Sequence, residues 1–374
     1  MNTLAISRRK FAHLLGVGAA AAIVRPRFSI ATERPSVKTA PTGSVVVRLS
    51  ANENPYGPSP AAHQAMNGSF DLCCRYPDEA NDVLIEKIAK INGVNREQIV
   101  LGDGSSEILK LCAETFTGPT RGKLIAADPT FEAILEYSKA NGAEVVKVPL
   151  TSSFAHDLSK MGAAAKGGLI YICNPNNPTA SITPRNDLRD FISKTPGETM
   201  ILVDEAYFHY ADSPDYESVI PVIKDHPNLI VARTFSKIYG MAGLRCGYGV
   251  AQPETIKRMH PFQMWDSVNV MALAAASASL DDADQVNNGR KLNSEAKSFV
   301  IGELDRMGYK LIPSQANFIM FDCKRPVVPI IKSMKERNVQ VGRLFPALPN
   351  HMRLTIGRKS EMESFLSAFK QVMA

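Results

Sequence analysis

The six cysteines of this 374-residue chain form no C-x-x-C pair and no spacing that suits a metal, which removes zinc-site and dithiol redox readings. Several sit inside apolar runs, as in Leu111-Cys112-Ala113 and Tyr171-Ile172-Cys173, and are expected as buried free thiols. Acidic side chains are missing from residues 1 to 31, where Arg8, Arg9, Lys10, Arg25 and Arg27 supply +5 of a formal net charge of +6. The rest of the chain is close to neutral, which argues against the basic surface that a nucleic-acid partner needs. The apolar run from Phe11 to Val24 has 14 residues, short of the about 20 that a membrane-spanning helix requires. Internal repeats and low-complexity blocks are absent after it.

Ser7-Arg8-Arg9-Lys10-Phe11 at the head of that run is a twin-arginine signature. Residues 1–31 are therefore expected as a twin-arginine signal peptide, cleaved after Ala31 and read by an export machinery that carries folded proteins to the periplasm. A basic, disordered tail is the other reading. Residues 32–50 follow as an N-terminal arm that ends in a β-like run, Val45 to Leu49.

The stretch T-F-S-K-I-Y-G-M-A-G-L-R-C-G, Thr234 to Gly247, follows Leu229-Ile230-Val231-Ala232, which reads as a buried strand. Lys237 thus stands on a Gly-rich loop at a strand end. An amine there, beside other cations, suits covalent capture of an aldehyde. Thr234, Ser236 and Arg245 around it offer hydroxyls and a forked guanidinium, which suit a phosphate. Together they match the needs of pyridoxal 5'-phosphate. The tripeptide F-S-K alone would read as surface decoration. The extended pattern S-K-x-x-G-x-A-G-L-R-x-G resembles the lysine segment of fold-type I pyridoxal-phosphate enzymes, and in wording it is similar to histidinol-phosphate aminotransferases.

Other segments carry chemistry of their own. Ile99 to Leu101 reads as a strand that ends in Gly102-Asp103-Gly104-Ser105-Ser106-Glu107 before a helix. Strand, glycine turn and helix N-terminus make a phosphate cradle, with Ser105 and Ser106 at its rim, although serines also cap helices that bind nothing. Met200 to Val203 is an apolar strand closing on Asp204-Glu205-Ala206-Tyr207. A carboxylate there needs a partner, and a pyridinium nitrogen is the one this chemistry supplies. Tyr207 is placed to bond the ring's phenolic oxygen. Strands are also expected at Lys123 to Ala127, Val145 to Val148, Leu169 to Cys173, Phe318 to Phe321 and Val339 to Val341. Helices are expected through Val83, Leu84, Ile88 and Ile91 as one apolar face, and over Val270 to Leu280, Lys291 to Met307 and Met362 to Val372.

The resemblance implies further roles. Phe131, after Asp128-Pro129-Thr130, takes the position of the ring that stacks on the cofactor. Asn177, in Asn174-Pro175-Asn176-Asn177-Pro178-Thr179-Ala180, takes that of the asparagine on the phenolic oxygen, with Ala180 where relatives carry glycine. Relatives often carry an acid at the position of Ser106. Tyr76 would reach the cofactor phosphate of the neighbouring subunit in a homodimer, or else pack where its helix begins. Tyr56, in Asn52-Glu53-Asn54-Pro55-Tyr56-Gly57-Pro58, would face substrate or pack. Arg353 would fork onto the substrate α-carboxylate, and Arg343 would read a second anion.

Strands alternating with helices predict an α/β fold with a mostly parallel sheet flanked by helices, the fold-type I large domain, over residues 51–280. A smaller α+β C-terminal domain is expected over 281–374. The implied activity is a pyridoxal-phosphate aminotransferase working between an L-amino acid, or related amine, and a 2-oxo acid, with Lys237 as its catalytic residue and no metal. A racemase or decarboxylase on the same scaffold, and a non-catalytic exported binding protein, stay open at this point.

Overall fold

Alternate residues of three adjacent strands fall into two separate apolar cores, and that alternation defines the architecture. In the computed structural model, which describes residues 46–374, these strands are β5 (Gly168–Cys173), β6 (Thr199–Asp204) and β7 (Leu229–Thr234), each buried along its whole length. The expected signal peptide 1–31 and most of the arm lie outside the described residues. Ile170, Ile172, Ile201, Val203, Leu229 and Val231 face one core; Leu169, Tyr171, Met200, Leu202, Ile230 and Ala232 face the other. Strands buried on both faces need helices on both. Helices Asp78–Asn92, Leu158–Ala164, Arg185–Lys194 and Val270–Asp281 cover the first face, and Ser105–Phe116, Ala133–Ala140 and Pro253–Met259 the second.

The remaining strands of this sheet are β2 (Ile99–Gly102), β3 (Leu124–Asp128), β4 (Val145–Pro149) and β8 (Gly247–Ala251), in the order β2-β8-β7-β6-β5-β3-β4. Only β8 runs against its neighbours, pairing antiparallel with both β2 and β7. The loops leaving β2, β3, β5, β6 and β7 therefore share one edge. The sequence hid β8, because two of its five residues are glycines. Gly247 is required there: a Cβ would stand 2.3 Å from the backbone nitrogen of Ser105.

A separate core gathers Ala296, Val300, Ile319, Phe321, Met352, Leu354, Phe365 and Phe369. Around it, β12 (His351–Thr355), β10 (Phe318–Asp322) and β9 (Leu311–Ile312) form an antiparallel sheet. The end of the expected arm joins this part of the chain. Its β1 (Val47–Arg48) pairs parallel with β11 (Val339–Gln340), and Leu49 is fully buried in the same core. The long helix Ala283–Arg306 starts eight residues before the expected Lys291, because the Asp282 carboxylate caps it by accepting from the Gln285 N–H.

Helix Asp78–Asn92 corrects one expectation. Leu84 and Ile88 are buried, but Val83 and Ile91 are 48% and 58% exposed. Val83 lies about 100° round the helix from Leu84, outside the buried stripe, and Ile91 falls on the last turn. The cysteines divide as well: Cys112, Cys173, Cys246 and Cys323 are buried free thiols, whereas Cys73 and Cys74 are exposed.

Candidate active site

The strand ends at the shared edge open onto a cavity of about 580 Å³ between the sheet and the C-terminal part of the chain. Ser105, Ser106, Phe131, Asn177, Asp204, Tyr207, Thr234, Ser236, Lys237, Arg245, Arg343 and Arg353 all line it. Twelve of the fourteen side chains expected from sequence thus meet in one place. Tyr56 and Tyr76 do not. Tyr56 is 39% exposed, with the Arg358 guanidinium 5.3 Å from its ring, and Tyr76 is 81% exposed.

Lys237 leaves β7 by the turn that Thr234 and Ser236 fasten. The Thr234 hydroxyl donates to Ser236 Oγ at 2.9 Å, and the Ser236 N–H donates back to Thr234 Oγ1 at 3.1 Å. The lysine amine donates to the Asn52 carbonyl at 3.3 Å and stands 5.4 Å from the Tyr207 ring centre. Burial, followed by the charge of Arg353, brings its pKa down to about 8, against a smaller upward pull from Asp204. A substantial neutral fraction at physiological pH is what a nucleophilic amine requires.

Asp204 ends β6 and is 2% exposed. The Tyr171 hydroxyl donates to its Oδ2 at 2.9 Å and the Ala206 N–H to its Oδ1 at 3.1 Å. Burial raises its pKa to about 6, and those two hydrogen bonds oppose the rise. The carboxylate is therefore mostly ionised at neutral pH. A cation in the cavity would strengthen that ionisation.

The Tyr207 hydroxyl accepts from Asn52 Nδ2 at 3.1 Å and from Asn177 Nδ2 at 3.4 Å. With both contacts made as acceptor, its own proton is free for a group in the cavity. Arg353, 9% exposed, donates from Nη1 to Asn177 Oδ1 at 2.7 Å and from Nη2 to the Ser50 carbonyl at 2.5 Å. Its Nε is buried and has no acceptor among the described residues, a donor that suits an anion. Ala180 has a left-handed φ of 59° in the loop that carries Asn177.

Three contributors escaped the sequence reading. Asn52 bonds the lysine and Tyr207 at once; its φ of 54° and its long-range partners have no local signature. Tyr171 reaches Asp204 because β5 and β6 lie side by side. Glu132, next to the Phe131 ring, forms an ion pair with Arg343.

A profile of aminotransferase class I and II matches residues 44–369. The chain belongs to this family. Two relatives support the placement. A histidinol-phosphate aminotransferase of Moorella thermoacetica is 37% identical over 88% of this chain and 86% of its own length. Another, of Symbiobacterium thermophilum, is 36% identical over 88% of this chain and 91% of its own. The crystal structure of histidinol-phosphate aminotransferase from Sinorhizobium meliloti, in complex with pyridoxal-5'-phosphate, has a TM-score of 0.81 at 26% identity, covering 88% of this chain and 92% of that chain. The protein is a pyridoxal-phosphate-dependent aminotransferase with small-molecule substrates, on the fold-type I scaffold.

The aminotransferase cavity fits that cofactor. Helix Ser105–Phe116 begins on Gly104 with no side-chain cap, so its first N–H groups are available to a phosphate. Gly104 has a φ of 72°, and a Cβ on it would stand 2.1 Å from Arg245 Nη2. Bare backbone is what lets the guanidinium lie against the cradle. Arg245 is fixed there by donating from Nη1 to the Ala242 carbonyl and from Nη2 to the Asp103 carbonyl, both at 3.1 Å. Hydroxyls, free N–H groups and one guanidinium at one end of the cavity, with a buried carboxylate on its wall, form the donor set a phosphorylated pyridine calls for.

Proposed function

We propose that Lys237 is the residue that holds pyridoxal 5'-phosphate covalently and, once released by the amino substrate, carries the proton to and from the substrate's α-carbon. When bound, the cofactor supplies an electron sink that makes that proton removable. Asp204 faces the ring nitrogen and keeps it cationic. Asn177 and Tyr207 address the phenolic oxygen, and Phe131 flanks the ring. Ser105, Ser106, Thr234, Ser236 and Arg245 hold the phosphate. Arg353 takes the substrate α-carboxylate. The observation that carries this reading is the convergence on one cavity of a lysine with a lowered pKa, a buried carboxylate and an arginine with a spare donor.

Arg353→Lys is the direct test of the carboxylate role. Lysine keeps the charge but loses the fork. Loss of one charge-assisted hydrogen bond predicts a KM for the amino donor raised by about 10- to 100-fold. An unchanged KM would remove Arg353 from the substrate.

We also propose a homodimer in which Tyr76 serves the partner's cofactor phosphate. Tyr76 is exposed and outside its own chain's cavity. Among the described residues, seven of the nine other exposed large apolar side chains fall in its part of the sequence and in one further segment: Phe70, Leu72, Val83 and Ile91, with Phe262, Met264 and Trp265. Mixing inactive Lys237→Ala with Tyr76→Ala, after unfolding and refolding together, should restore activity through hybrid dimers holding one intact site. No recovery beyond the sum of the separate proteins would contradict the sharing.

The sequence Ser7-Arg8-Arg9-Lys10-Phe11 supports export by the twin-arginine pathway to the periplasm. Cell fractionation should find the wild type in the periplasm and an Arg8→Lys, Arg9→Lys chain in the cytoplasm. Equal distribution of the two would refute the signal.

A further inference from the structure

The two arginines of the cavity are not equivalent. Arg353 is buried, and its Nε has no acceptor among the described residues. Arg343, 54% exposed at its side chain, has its anion built in: Nη2 meets Glu132 Oε2, and Nη1 donates to the Leu344 carbonyl at 3.0 Å. Glu132 follows the Phe131 ring directly and stands at the start of helix Ala133–Ala140. Arg343 lines the cavity from the C-terminal part of the chain, and Glu132 stands next to the lining residue Phe131, so the pair joins the two sides of the cavity. Burial lowers the pKa of Arg353, and Glu132 is the smallest of the influences on it, opposing that fall. The Phe345 ring lies 4.4 Å from the Arg343 guanidinium and 5.2 Å from that of Arg353. Ile331, Val341, Phe345 and Phe131 supply apolar lining.

Resting on the assignment of Arg353 as the α-carboxylate anchor, we propose that Glu132 is a specificity-determining residue. It neutralises Arg343, so that the part of the substrate subsite beside Arg343, next to the Phe345 ring it shares with Arg353, takes an uncharged apolar or aromatic side chain and rejects one ending in a carboxylate or phosphate. An anionic side chain that approaches Arg343 meets the Glu132 carboxylate at the same guanidinium. Displacing Glu132 leaves two anions competing for one cation a few ångströms away. An uncharged side chain meets no such opposition and buries area against Ile331, Val341 and the two phenylalanines. A phosphate, with its second charge, is opposed more strongly than a carboxylate.

The test compares two unreactive acids that share one carboxylate and differ at the far end, 3-phenylpropanoate and glutarate. Binding to the holoenzyme is measured by titration calorimetry. Wild type should bind 3-phenylpropanoate about tenfold or more tighter than glutarate. Glu132→Gln, which keeps shape and removes charge, should tighten glutarate by about tenfold and leave 3-phenylpropanoate within about threefold. Arg343→Leu, a second variant at the same pair, should weaken glutarate further. The proposal is overturned if wild type prefers glutarate, or if Glu132→Gln leaves the ratio of the two affinities unchanged. Arg353→Lys separates this from failure of the anchor: both acids should weaken together. Affinities untouched by Arg353→Lys would remove the anchor and the proposal with it, whereas a lost anchor effect and a lost ratio effect are read from different variants.

Discussion

Lys237→Ala is expected to abolish transamination, with a fall in kcat of about 10⁴-fold or more, because under the proposed assignment one substitution removes both the covalent hold on the cofactor and the proton carrier. The fold should survive. Among the described residues Lys237 makes one hydrogen bond, to the Asn52 carbonyl at 3.3 Å, and its pKa of about 8 reflects a cost of keeping it charged in the cavity. The sign follows from that direction. The folded pKa lies below the unfolded one, so the folded state binds fewer protons across this range and the cofactor-free wild type gains stability as pH rises from about 8 towards the ordinary lysine range. The alanine protein should lack that gain and melt no lower than wild type at neutral pH. Capture of added pyridoxal phosphate by wild type should likewise quicken as pH rises through about 8 and level off above it. Turnover in the alanine protein within about tenfold of wild type would show that another group does the proton transfer.

Arg233→Met should destabilise the fold by about 3–5 kcal/mol, the usual result of stripping one partner from a buried ion pair. Arg233 and Glu205 are 6% and 1% exposed. Arg233 donates to Glu205 Oε2 from Nε at 3.0 Å and from Nη2 at 2.8 Å, and from Nη1 to Asn92 Oδ1 at 2.8 Å. Its guanidinium lies 3.6 Å from the Phe208 ring centre. Glu205 also accepts from the Ser218 hydroxyl and the Val219 N–H, both at 2.8 Å. Methionine fills much of the volume but leaves this carboxylate buried without a countercharge. Urea unfolding, read by far-ultraviolet circular dichroism, measures the loss. The double variant Arg233→Met, Glu205→Leu should recover most of it, since removing both charges is often near neutral. A loss below about 1 kcal/mol in the single variant would place the pair in the weak class of exposed ion pairs. Because Glu205 follows Asp204 and Arg233 precedes Thr234, the same network sets two strand ends that face the cavity.

That placement explains how much of the site was legible in the sequence. Asp204 and Lys237 lie one and five residues beyond an apolar run that ends close to the end of its strand. A polar residue at that point stands at the edge where ligands bind. Ser105 and Ser106 were legible for a related reason, since glycines mark the turn between β2 and its helix. The resemblance supplied Asn177, Phe131, Arg343 and Arg353. Asn52 was not legible, because its partners Tyr207, Lys237 and Thr355 are distant in the chain and meet it only after folding. Tyr171 looked like one more core residue of β5, and its bond to Asp204 exists only through the pairing of β5 with β6. The strand β8 was missed because glycine, required by the close approach of Ser105, carries no apolar signal. Helix Arg185–Lys194 was missed for the opposite reason, since charged residues outnumber the buried Leu188 and Ile192.

The most direct measurement of the central claim is the visible absorbance of the purified protein loaded with pyridoxal phosphate, taken through both halves of the reaction. An L-amino acid from a panel is added first, and a 2-oxo acid second. The account predicts a band that shifts with a suitable donor as one equivalent of its 2-oxo acid is released per site, and that returns when an acceptor is supplied. A protein that never acquires the band, or a shift unaccompanied by 2-oxo acid, would contradict it.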